Sequence, residues 1–176
     1  MSPLPSDFGP LPDAELQCRE LAAALKPCID EETAFVGIFS GGAWVAEKVA
    51  ALLGIKTPVG QIDVSFYRDD YEKIGLHHNV RPTAIPFPVD GRHIILFDDV
   101  LESGRTTRAA LNVLFDFGRP AKVDLAVLAD RGGRHLPIAA RWCVWHPALE
   151  RNDSLILAQA DAGLIGWRKE NREIGA

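Results

Sequence analysis

Two adjacent carboxylates follow an apolar run of the chain, and a short polar turn comes soon after them. Residues 94–97 read Ile-Ile-Leu-Phe, Asp98 and Asp99 come next, and residues 103–106 read Ser-Gly-Arg-Thr before a segment with helical spacing. Carboxylates at the end of a buried strand are costly unless they are paired. The first amides of a helix have no partners inside it, and the helix dipole attracts an anion there. This pattern predicts a site for sugar hydroxyls beside a phosphate, with Mg²⁺ nearby for a polyphosphate.

Other phosphate-binding and metal-binding patterns are absent from the sequence. There is no GxxxxGK[ST] loop and no GxGxxG after a predicted strand, which argues against a P-loop protein and a dinucleotide-binding fold. The five histidines lack metal-ligand spacing, and the three cysteines form no CxxC pair. The cysteines therefore argue against a disulfide framework or a zinc site, and they favour a reducing cytoplasm.

Charge and hydropathy argue against two further classes of protein. The net charge of −5 argues against broad binding to nucleic acids, which depends on neutralising phosphates. The apolar runs fall well short of the roughly 18 residues that a membrane span requires. The amino terminus carries neither the basic nor the apolar region of a signal peptide, so we expect no signal peptide. We therefore predict a cytoplasmic protein without a membrane partner.

Segments with strand and helix character alternate along the 176 residues. Asp13 suits the cap of a helix over residues 14–25, whose apolar face would contain Leu16, Leu21, Ala23 and Leu25. Further helices are predicted over residues 43–53 and from Gly104 to about residue 117. Strands are predicted over residues 34–38, 59–67, 93–97, 123–128, 141–145 and 154–158. This order predicts an α/β fold with a central, mostly parallel sheet flanked by helices.

Size and composition suit one domain. Hydrophobic residues make up 47% and charged residues 24% of the chain, close to the average for a globular protein. We predict a loose, Pro-rich segment over residues 1–12 and a single domain over residues 13–176. Loops over residues 39–42, 98–106 and 130–133 each follow a predicted strand. Because ligands bind beyond the carboxyl ends of parallel strands, these loops should converge on one cleft.

The segment from Asp98 to Thr106 resembles the motif that binds 5-phosphoribosyl-1-pyrophosphate (PRPP) in type I phosphoribosyltransferases. Its neighbourhood narrows the resemblance. Tyr-Arg-Asp-Asp at 67–70, Ile-Pro-Phe at 85–87, Gly-Arg-Pro-Ala at 118–121, Asp-Arg-Gly at 130–132 and Leu-Pro-Ile at 136–138 together resemble the PyrR family over residues 36–140. The resemblance implies a type I phosphoribosyltransferase fold with a small hood. It also implies transfer of phosphoribose from PRPP to uracil, giving UMP and pyrophosphate, and regulation of pyrimidine operons through RNA.

The resemblance also implies roles for particular residues. The catalytic set would be Asp98 and Asp99, which bind ribose hydroxyls, with Arg68 and Arg81, which place positive charge on the leaving pyrophosphate. Mg²⁺ would arrive with PRPP, with Asp98 or Asp99 as its protein contact. Arg131, in the loop over residues 130–133, would help form the uracil pocket. The remaining substrate-binding residues would be those of the pyrophosphate loop and of the phosphate cradle, namely Ser40, Gly41, Gly42, Val100, Leu101, Glu102, Ser103, Gly104, Arg105 and Thr106.

Two loops depart from the family pattern. The first loop is Lys-Thr-Arg-Gly in typical members and Phe-Ser-Gly-Gly at residues 39–42 here, so both cations are missing. Glu102 and Ser103 replace a Tyr-Thr pair, which puts a carboxylate near the phosphate cradle unless it points away. On this pattern the substitution Gly41→Arg would restore a family-like charge and tighten PRPP binding.

Alternative functions remain open at the level of sequence. One is an RNA-binding attenuation regulator that senses UMP or PRPP with weak or no catalysis, although the charges form no basic stripe of the kind that RNA requires. Others are a phosphoribosyltransferase for another base and a nucleotide-binding relic without turnover. The expected small-molecule partners are uracil, PRPP and UMP. Family resemblance further implies a homo-oligomer, either a dimer or a higher assembly.

Overall fold

The computed structural model of the protein describes residues 11–65 and 82–171. The α-helices within these ranges are α1 (Ala14–Leu25), α2 (Gly41–Leu53) and α3 (Arg105–Asp116), and a short 3₁₀ turn covers Lys26–Cys28. The strands are β1 (Thr33–Ile38), β2 (Gly60–Ile62), β3 (His93–Leu101), β4 (Lys122–Asp130), β5 (Trp142–Trp145), β6 (Asp153–Gln159) and β7 (Ile165–Asn171). Within these described ranges no helix combines the length and the apolar character needed to cross a membrane.

A five-stranded sheet forms the centre of the fold. Its order is β2-β1-β3-β4-β5, and all four pairings are parallel. One cluster of buried side chains joins α1 and α2 to Phe35 and Phe97, whereas the other joins α3 to Ile94 and Leu96. Helices therefore cover both faces of the sheet, as the continuous apolar strands predicted. The α/β prediction is confirmed.

β2 and β3 differ most in length from the predicted strands. β3 continues through both carboxylates to Leu101, because β4 pairs with it as far as Leu101 and Asp130. By contrast, β2 covers only Gly60–Ile62 of the predicted residues 59–67, and residues 66 and 67 lie outside the described ranges. β2 pairs with β1, which itself ends at Ile38 opposite Ile62. Strand pairing across the sheet, rather than local alternation, sets both ends.

Helix α1 has the predicted bounds, and the side chain of Asp13 accepts hydrogen bonds from the amides of its first turn. Its buried face differs from the prediction, because Leu16 is 51% exposed and Ala23 is also exposed. Gln17 is buried instead, since its Oε1 accepts a 2.6 Å hydrogen bond from Nε1 of the buried Trp167. The hydrogen bond from Trp167 in β7 therefore explains why the polar side chain of Gln17 is buried on this face of α1.

Strands β6 and β7 form a separate antiparallel pair. β6 matches the strand predicted over residues 154–158, whereas β7 was not predicted. The amide of Ile165 donates to Glu15 Oε1 at 2.9 Å, and Arg131 Nη1 donates to the carbonyl of Asp153 at 2.6 Å. The pair thus packs on α1 and reaches the carboxyl end of β4. We call this pair the hood, after the small hood that the family resemblance implies.

One cluster of buried residues runs from Ala14 in α1 to Trp167 in β7. This continuity supports the prediction that residues 13–176 form one domain, which we retain as a proposal. The predicted loose segment over residues 1–12 lies almost entirely outside the described residues and stays a prediction.

Asp124, near the start of β4, contacts three nitrogen-bearing side chains at the amino-terminal end of the sheet. Its Oδ2 lies 2.8 Å from His93 Nε2, 2.7 Å from Lys122 Nζ and 2.8 Å from Arg141 Nη1. Burial alone would raise the pKa of Asp124, but the hydrogen bonds from Lys122, His93 and Arg141 hold it below its usual value. The folded state therefore favours the ionised carboxylate.

Replacing Asp124 with Asn should lower the free energy of unfolding by about 1–2 kcal/mol at pH 7, because the charged hydrogen bonds are lost. The wild-type advantage is fully present above the unfolded pKa of about 3.9 and disappears as the pH falls through the lower folded pKa. Urea denaturation at pH 7 and pH 3 measures the difference, with Asp161→Asn in the exposed β6–β7 turn as a control. An equal loss at both pH values would contradict this assignment.

Candidate active site

The site begins where β3 extends past β1. β1 pairs with β3 only as far as Gly37 and Phe97, whereas β4 pairs with β3 to Leu101. The edge of β3 that β1 leaves open is covered by the amino end of α2. A Cβ atom on Gly42 would overlap the carbonyl oxygen of Phe97 and lie 2.9 Å from Asp98 Cα. Only glycine permits this approach of helix to strand.

The pyrophosphate loop predicted at residues 40–42 lies directly against the second carboxylate. A Cβ atom on Gly41 would overlap Asp99 Oδ2 and lie 2.6 Å from Asp99 Cγ. The other oxygen, Asp99 Oδ1, accepts a hydrogen bond from the amide of Val100 at 3.0 Å. The structure thus brings Gly41, Gly42 and Asp99 together, so that the carboxylate faces the amino end of α2.

Asp98 is the more enclosed of the two acids. It is 6% exposed, and its Oδ1 accepts a hydrogen bond from the amide of Asp99 at 3.0 Å. Asp99 is half-buried by comparison. Both lie within β3 rather than after it, so the sheet itself holds their backbone in place. A ligand approaching the carboxyl end of the sheet reaches Asp99 more readily than Asp98.

The backbone before α2 is anchored to the sheet. The Phe39–Ser40 peptide bond is cis, and the amide of Phe39 donates to the carbonyl of Ile62 at 2.8 Å. Ser40 occupies the N-cap of α2, yet its side chain makes no capping hydrogen bond. The amino end of α2 therefore keeps the partial positive charge of its first amides, which suits an anion even though the loop carries no cation.

The predicted phosphate cradle ends at a second helix terminus. Gly104 is the N-cap of α3 with φ of 89°, a left-handed conformation that favours glycine, and it contributes no side-chain capping bond of its own. Ser103 is buried, and its Oγ accepts a 3.3 Å hydrogen bond from the amide of Arg105. Thr106 follows in the first turn of α3. Asp98 and Asp99 thus lie in the strand that leads to α3 and beside the amino end of α2.

The side chain of Glu102 lies against the loop that follows β4. Its Oε1 lies 3.8 Å from Arg131 Nε, and a Cβ atom on Gly133 would lie 3.7 Å from its Cγ. The guanidinium of Arg131 also donates to the carbonyl of Asp153, and its side chain is only 7% exposed. Arg131 therefore joins the cradle to the hood, and a direct contact of its side chain with substrate stays a prediction.

Arg134 is a residue that sequence reasoning missed. Its guanidinium contacts the carboxylate of Asp130 and donates to the carbonyls of Glu102 at 2.7 Å and Ile138 at 2.8 Å. Burial raises the pKa of Asp130, but hydrogen bonds from Arg134 and from the amide of Gly132 lower it below its usual value. The only signal in the sequence for this ion pair was the four-residue spacing between Asp130 and Arg134, and that spacing is a weak indication outside a helix.

The carboxylates suit a hard cation but do not enclose one. Carboxylate oxygens are the ligands that Mg²⁺ prefers, and this ion usually keeps water or substrate oxygens in its shell. Within residues 11–65 and 82–171 no cluster of three or more His, Cys, Asp or Glu side chains is arranged to hold a metal. Asp98 and Asp99 therefore fit a Mg²⁺ ion that is shared with a substrate. Arg68 and Arg81, the predicted cations for pyrophosphate, lie outside the described ranges.

A groove of about 380 Å³ lies elsewhere, between the ends of α1 and α2. It contains two cations and no carboxylate, and it involves none of the predicted site residues. Its lining consists of Arg19, Ala22, Ala23, Lys26, Ile29, Leu52, Leu53 and Ile55.

The contact between Gly41 and Asp99 changes the expectation for Gly41→Arg. Any side chain at position 41 would displace the carboxylate, so an added cation would not simply tighten anion binding. The smaller change Gly41→Ala should lower the free energy of unfolding by about 1–3 kcal/mol through overpacking.

Gly166→Ala in β7 is the matched control for Gly41→Ala, because a Cβ atom there would meet no heavy atom within 4 Å. Urea denaturation of both variants measures the difference. Equal stability of the two variants would mean that α2 and β3 do not pack as closely as described.

Comparison with known proteins gives a family for this geometry. Residues 9–148 match the family described as the phosphoribosyl transferase domain. The bifunctional protein PyrR of Ralstonia nicotianae is 48% identical over 157 residues, which cover 86% of this chain and 88% of that protein. The bifunctional protein PyrR of Pseudomonas paraeruginosa is 58% identical over 108 residues, which cover 61% of this chain and 64% of that protein. The match thus spans less than two thirds of the Pseudomonas relative.

Solved structures share the fold at low sequence identity. A hypoxanthine phosphoribosyltransferase from Staphylococcus aureus has a TM-score of 0.63 at 19% identity, covering 96% of this chain and 86% of that one. A hypoxanthine-guanine phosphoribosyltransferase from Bacillus anthracis has a TM-score of 0.61 at 16% identity, covering 81% and 86%. The family match covers most of the chain, and the Ralstonia relative is similar over nearly all of it. This chain therefore belongs to the PyrR family of type I phosphoribosyltransferases.

Proposed function

We propose that the protein transfers phosphoribose from PRPP to uracil, forming UMP and pyrophosphate. One observation carries the proposal: the carboxylates of β3 lie beside the amino end of α2 and a short distance along the chain from the amino end of α3. PRPP has the complementary layout, with two hydroxyls between a 5-phosphate and a pyrophosphate. Each anionic end then meets a helix amino terminus, where backbone amides and the helix dipole favour negative charge.

In this arrangement the backbone of the cradle and the first turn of α3 bind the 5-phosphate. Ser103 Oγ accepts the amide of Arg105, and its O–H group, like that of Thr106, is proposed as a side-chain donor to the phosphate. Asp99, and Asp98 behind it, accept hydrogen bonds from the ribose hydroxyls. The amides of Gly41 and Gly42 hold pyrophosphate, whose charge Mg²⁺ neutralises when it is bound. Arg68 and Arg81 remain the proposed cations for the leaving group.

The proposed reaction is a displacement at the anomeric carbon of PRPP. A bond forms between N1 of uracil and that carbon, the bond to pyrophosphate breaks, the leaving oxygen takes the electron pair, and the N1 proton passes to solvent water. Negative charge grows on pyrophosphate as the bond breaks, so catalysis depends on positioning and electrostatic stabilisation. The described site fits this requirement, and we assign no covalent nucleophile.

The loop over residues 130–133 is the proposed uracil pocket. It follows β4 directly, and Asp130 within it is held by Arg134 and by the amide of Gly132. A pocket with fixed polar groups discriminates strongly against bases with a different pattern of donors and acceptors. The choice of uracil rests on membership of the PyrR family, and a competing base would show itself in the same assay.

The relatives are named bifunctional proteins, which favours a second activity. The family resemblance implies that this activity is RNA-dependent regulation of pyrimidine operons. Salt-dependent binding to a pyrimidine leader RNA discriminates this role from catalysis alone.

We also propose a cytoplasmic homo-oligomer, either a dimer or a higher assembly. Cys18, Cys28 and Cys143 are free thiols, which fits a reducing compartment. Phe115 and Phe117, near the end of α3, are 55% and 45% exposed and offer apolar surface for a second copy.

The direct test is formation of UMP from uracil and PRPP with Mg²⁺, with cytosine, hypoxanthine and guanine as competing bases. We expect turnover with uracil and little with the others. Turnover with a purine base instead would reject the uracil assignment. Saturable binding of UMP without turnover would favour the regulator over the enzyme.

Replacing Asp99 with Asn should lower kcat for UMP formation roughly a hundred-fold or more, because a charged partner of the ribose is lost in the transition state. The fold should be retained, since the side chain is similar in shape. Asp116→Asn, an exposed acid at the end of α3, is the control, and steady-state kinetics with circular dichroism measure both variants. Near-normal turnover of Asp99→Asn would remove this carboxylate from the proposed mechanism.

A further inference from the structure

Three consecutive carbonyl groups of the phosphate cradle are held by one neighbouring segment. The carbonyl of Leu101 accepts the amide of Arg131 at 3.0 Å. The carbonyl of Ser103 accepts the amides of His135 at 2.9 Å and Leu136 at 3.2 Å. Between them, the carbonyl of Glu102 accepts Arg134 Nη1 at 2.7 Å. The segment over residues 131–136 therefore supplies every one of these donors.

This arrangement has a direct consequence for an anion. The carbonyl and the amide hydrogen of one peptide unit point in opposite directions, so a carbonyl held from one side turns the following amide to the other. Successive amides that point to the same side form a concave anion site, whereas a carbonyl turned inward would repel the anion. Because the carbonyls of residues 101–103 point toward residues 131–136, the amides of residues 102–104 point away from that segment.

Arg134 is the one member of this group that acts through its side chain. A backbone donor is placed by its own chain, but a side chain has to be held in position. The remaining contacts of Arg134, with the Asp130 carboxylate and the Ile138 carbonyl, do this. A planar guanidinium reaches three acceptors in fixed directions, and a lysine ammonium does not reproduce that geometry.

The same residue connects two substrate subsites. Asp130 begins the proposed base loop, Glu102 belongs to the phosphate cradle, and Ile138 packs against the N-cap of α3, where a Cβ atom on Gly104 would lie 3.0 Å from its Cγ1. A single side chain therefore spans the proposed base end and the phosphate end of the ligand.

We infer that Arg134 is a positioning residue for the 5-phosphate of the nucleotide, acting through the Glu102 carbonyl rather than by touching the ligand. The inference rests on the proposed function, since it assumes that a 5-phosphoribosyl group binds at this cradle. A residue that only stabilises the fold would affect ligands with and without the phosphate alike. A positioning residue affects the phosphorylated ligand selectively.

The experiment compares UMP with uridine, which lacks the phosphate, on wild type, Arg134→Lys and Arg134→Ala. Calorimetry measures UMP affinity and ligand-observed NMR measures uridine affinity, at a temperature where thermal denaturation shows all variants folded. Losing a charged hydrogen bond that aligns the cradle should weaken UMP binding by roughly ten-fold or more. Uridine affinity should change by less than about two-fold on the same scale, because Asp130 in the proposed base loop keeps its hydrogen bond from the amide of Gly132.

Arg141→Lys is the matched control, because Arg141 Nη1 also donates to an aspartate, Asp124 at 2.8 Å, at the opposite edge of the sheet. It should leave both affinities unchanged. Selective loss of UMP affinity in the Arg134 variants supports the inference. Unchanged UMP affinity in both Arg134 variants, or an equal loss for UMP and uridine, overturns it while leaving the proposed function intact. Absence of UMP binding by the wild-type protein would reject the proposed function and this inference with it.

Discussion

The extension of β3 beyond β1 is the constraint on which the site depends. β4 continues to pair with β3 as far as Leu101, whereas pairing with β1 stops at Phe97. The exposed edge has to be covered, and α2 covers it with its amino terminus rather than with its side. A helix terminus can come this close only because Gly41 and Gly42 carry no side chains. The same packing that closes the sheet therefore brings a partial positive charge to Asp99.

The close packing of α2 on β3 explains why the loop over residues 39–42 carries no Arg at position 41. A side chain at position 41, where the family pattern has Arg, would need a wider gap between α2 and β3, because the Asp99 side chain fills the space beside Gly41. Here the gap is closed, and the loop offers backbone amides instead of cations. Binding of a polyphosphate at this end consequently depends on the helix terminus, on Mg²⁺ and on cations from other segments.

The opposite side of the site is held by paired charges. Glu102, Asp130 and Asp153 lie close to Arg131, Arg134 and Lys169, and these contacts join the cradle, the loop after β4 and the hood. A hydrogen bond from Lys169 lowers the pKa of Asp153, and hydrogen bonds from Arg134 and Gly132 outweigh burial at Asp130. Both carboxylates therefore stabilise the fold at neutral pH, and their contribution is lost as the pH falls through their lowered pKa values.

The sequence by itself determined the order of the described elements from α1 to β6, the parallel sheet and the grouping of Asp98, Asp99 and the glycine loops. These features are local, since apolar periodicity, a capping residue such as Asp13 and a glycine before a helix act over a few neighbouring positions. The tertiary structure decided the length of β3, the burial of Gln17 against Trp167, the turn of Glu102 toward Arg131 and the three contacts of Arg134. Each of these depends on a partner from a distant part of the chain or on strand register, and local pattern carries no information about which distant residue will be the partner.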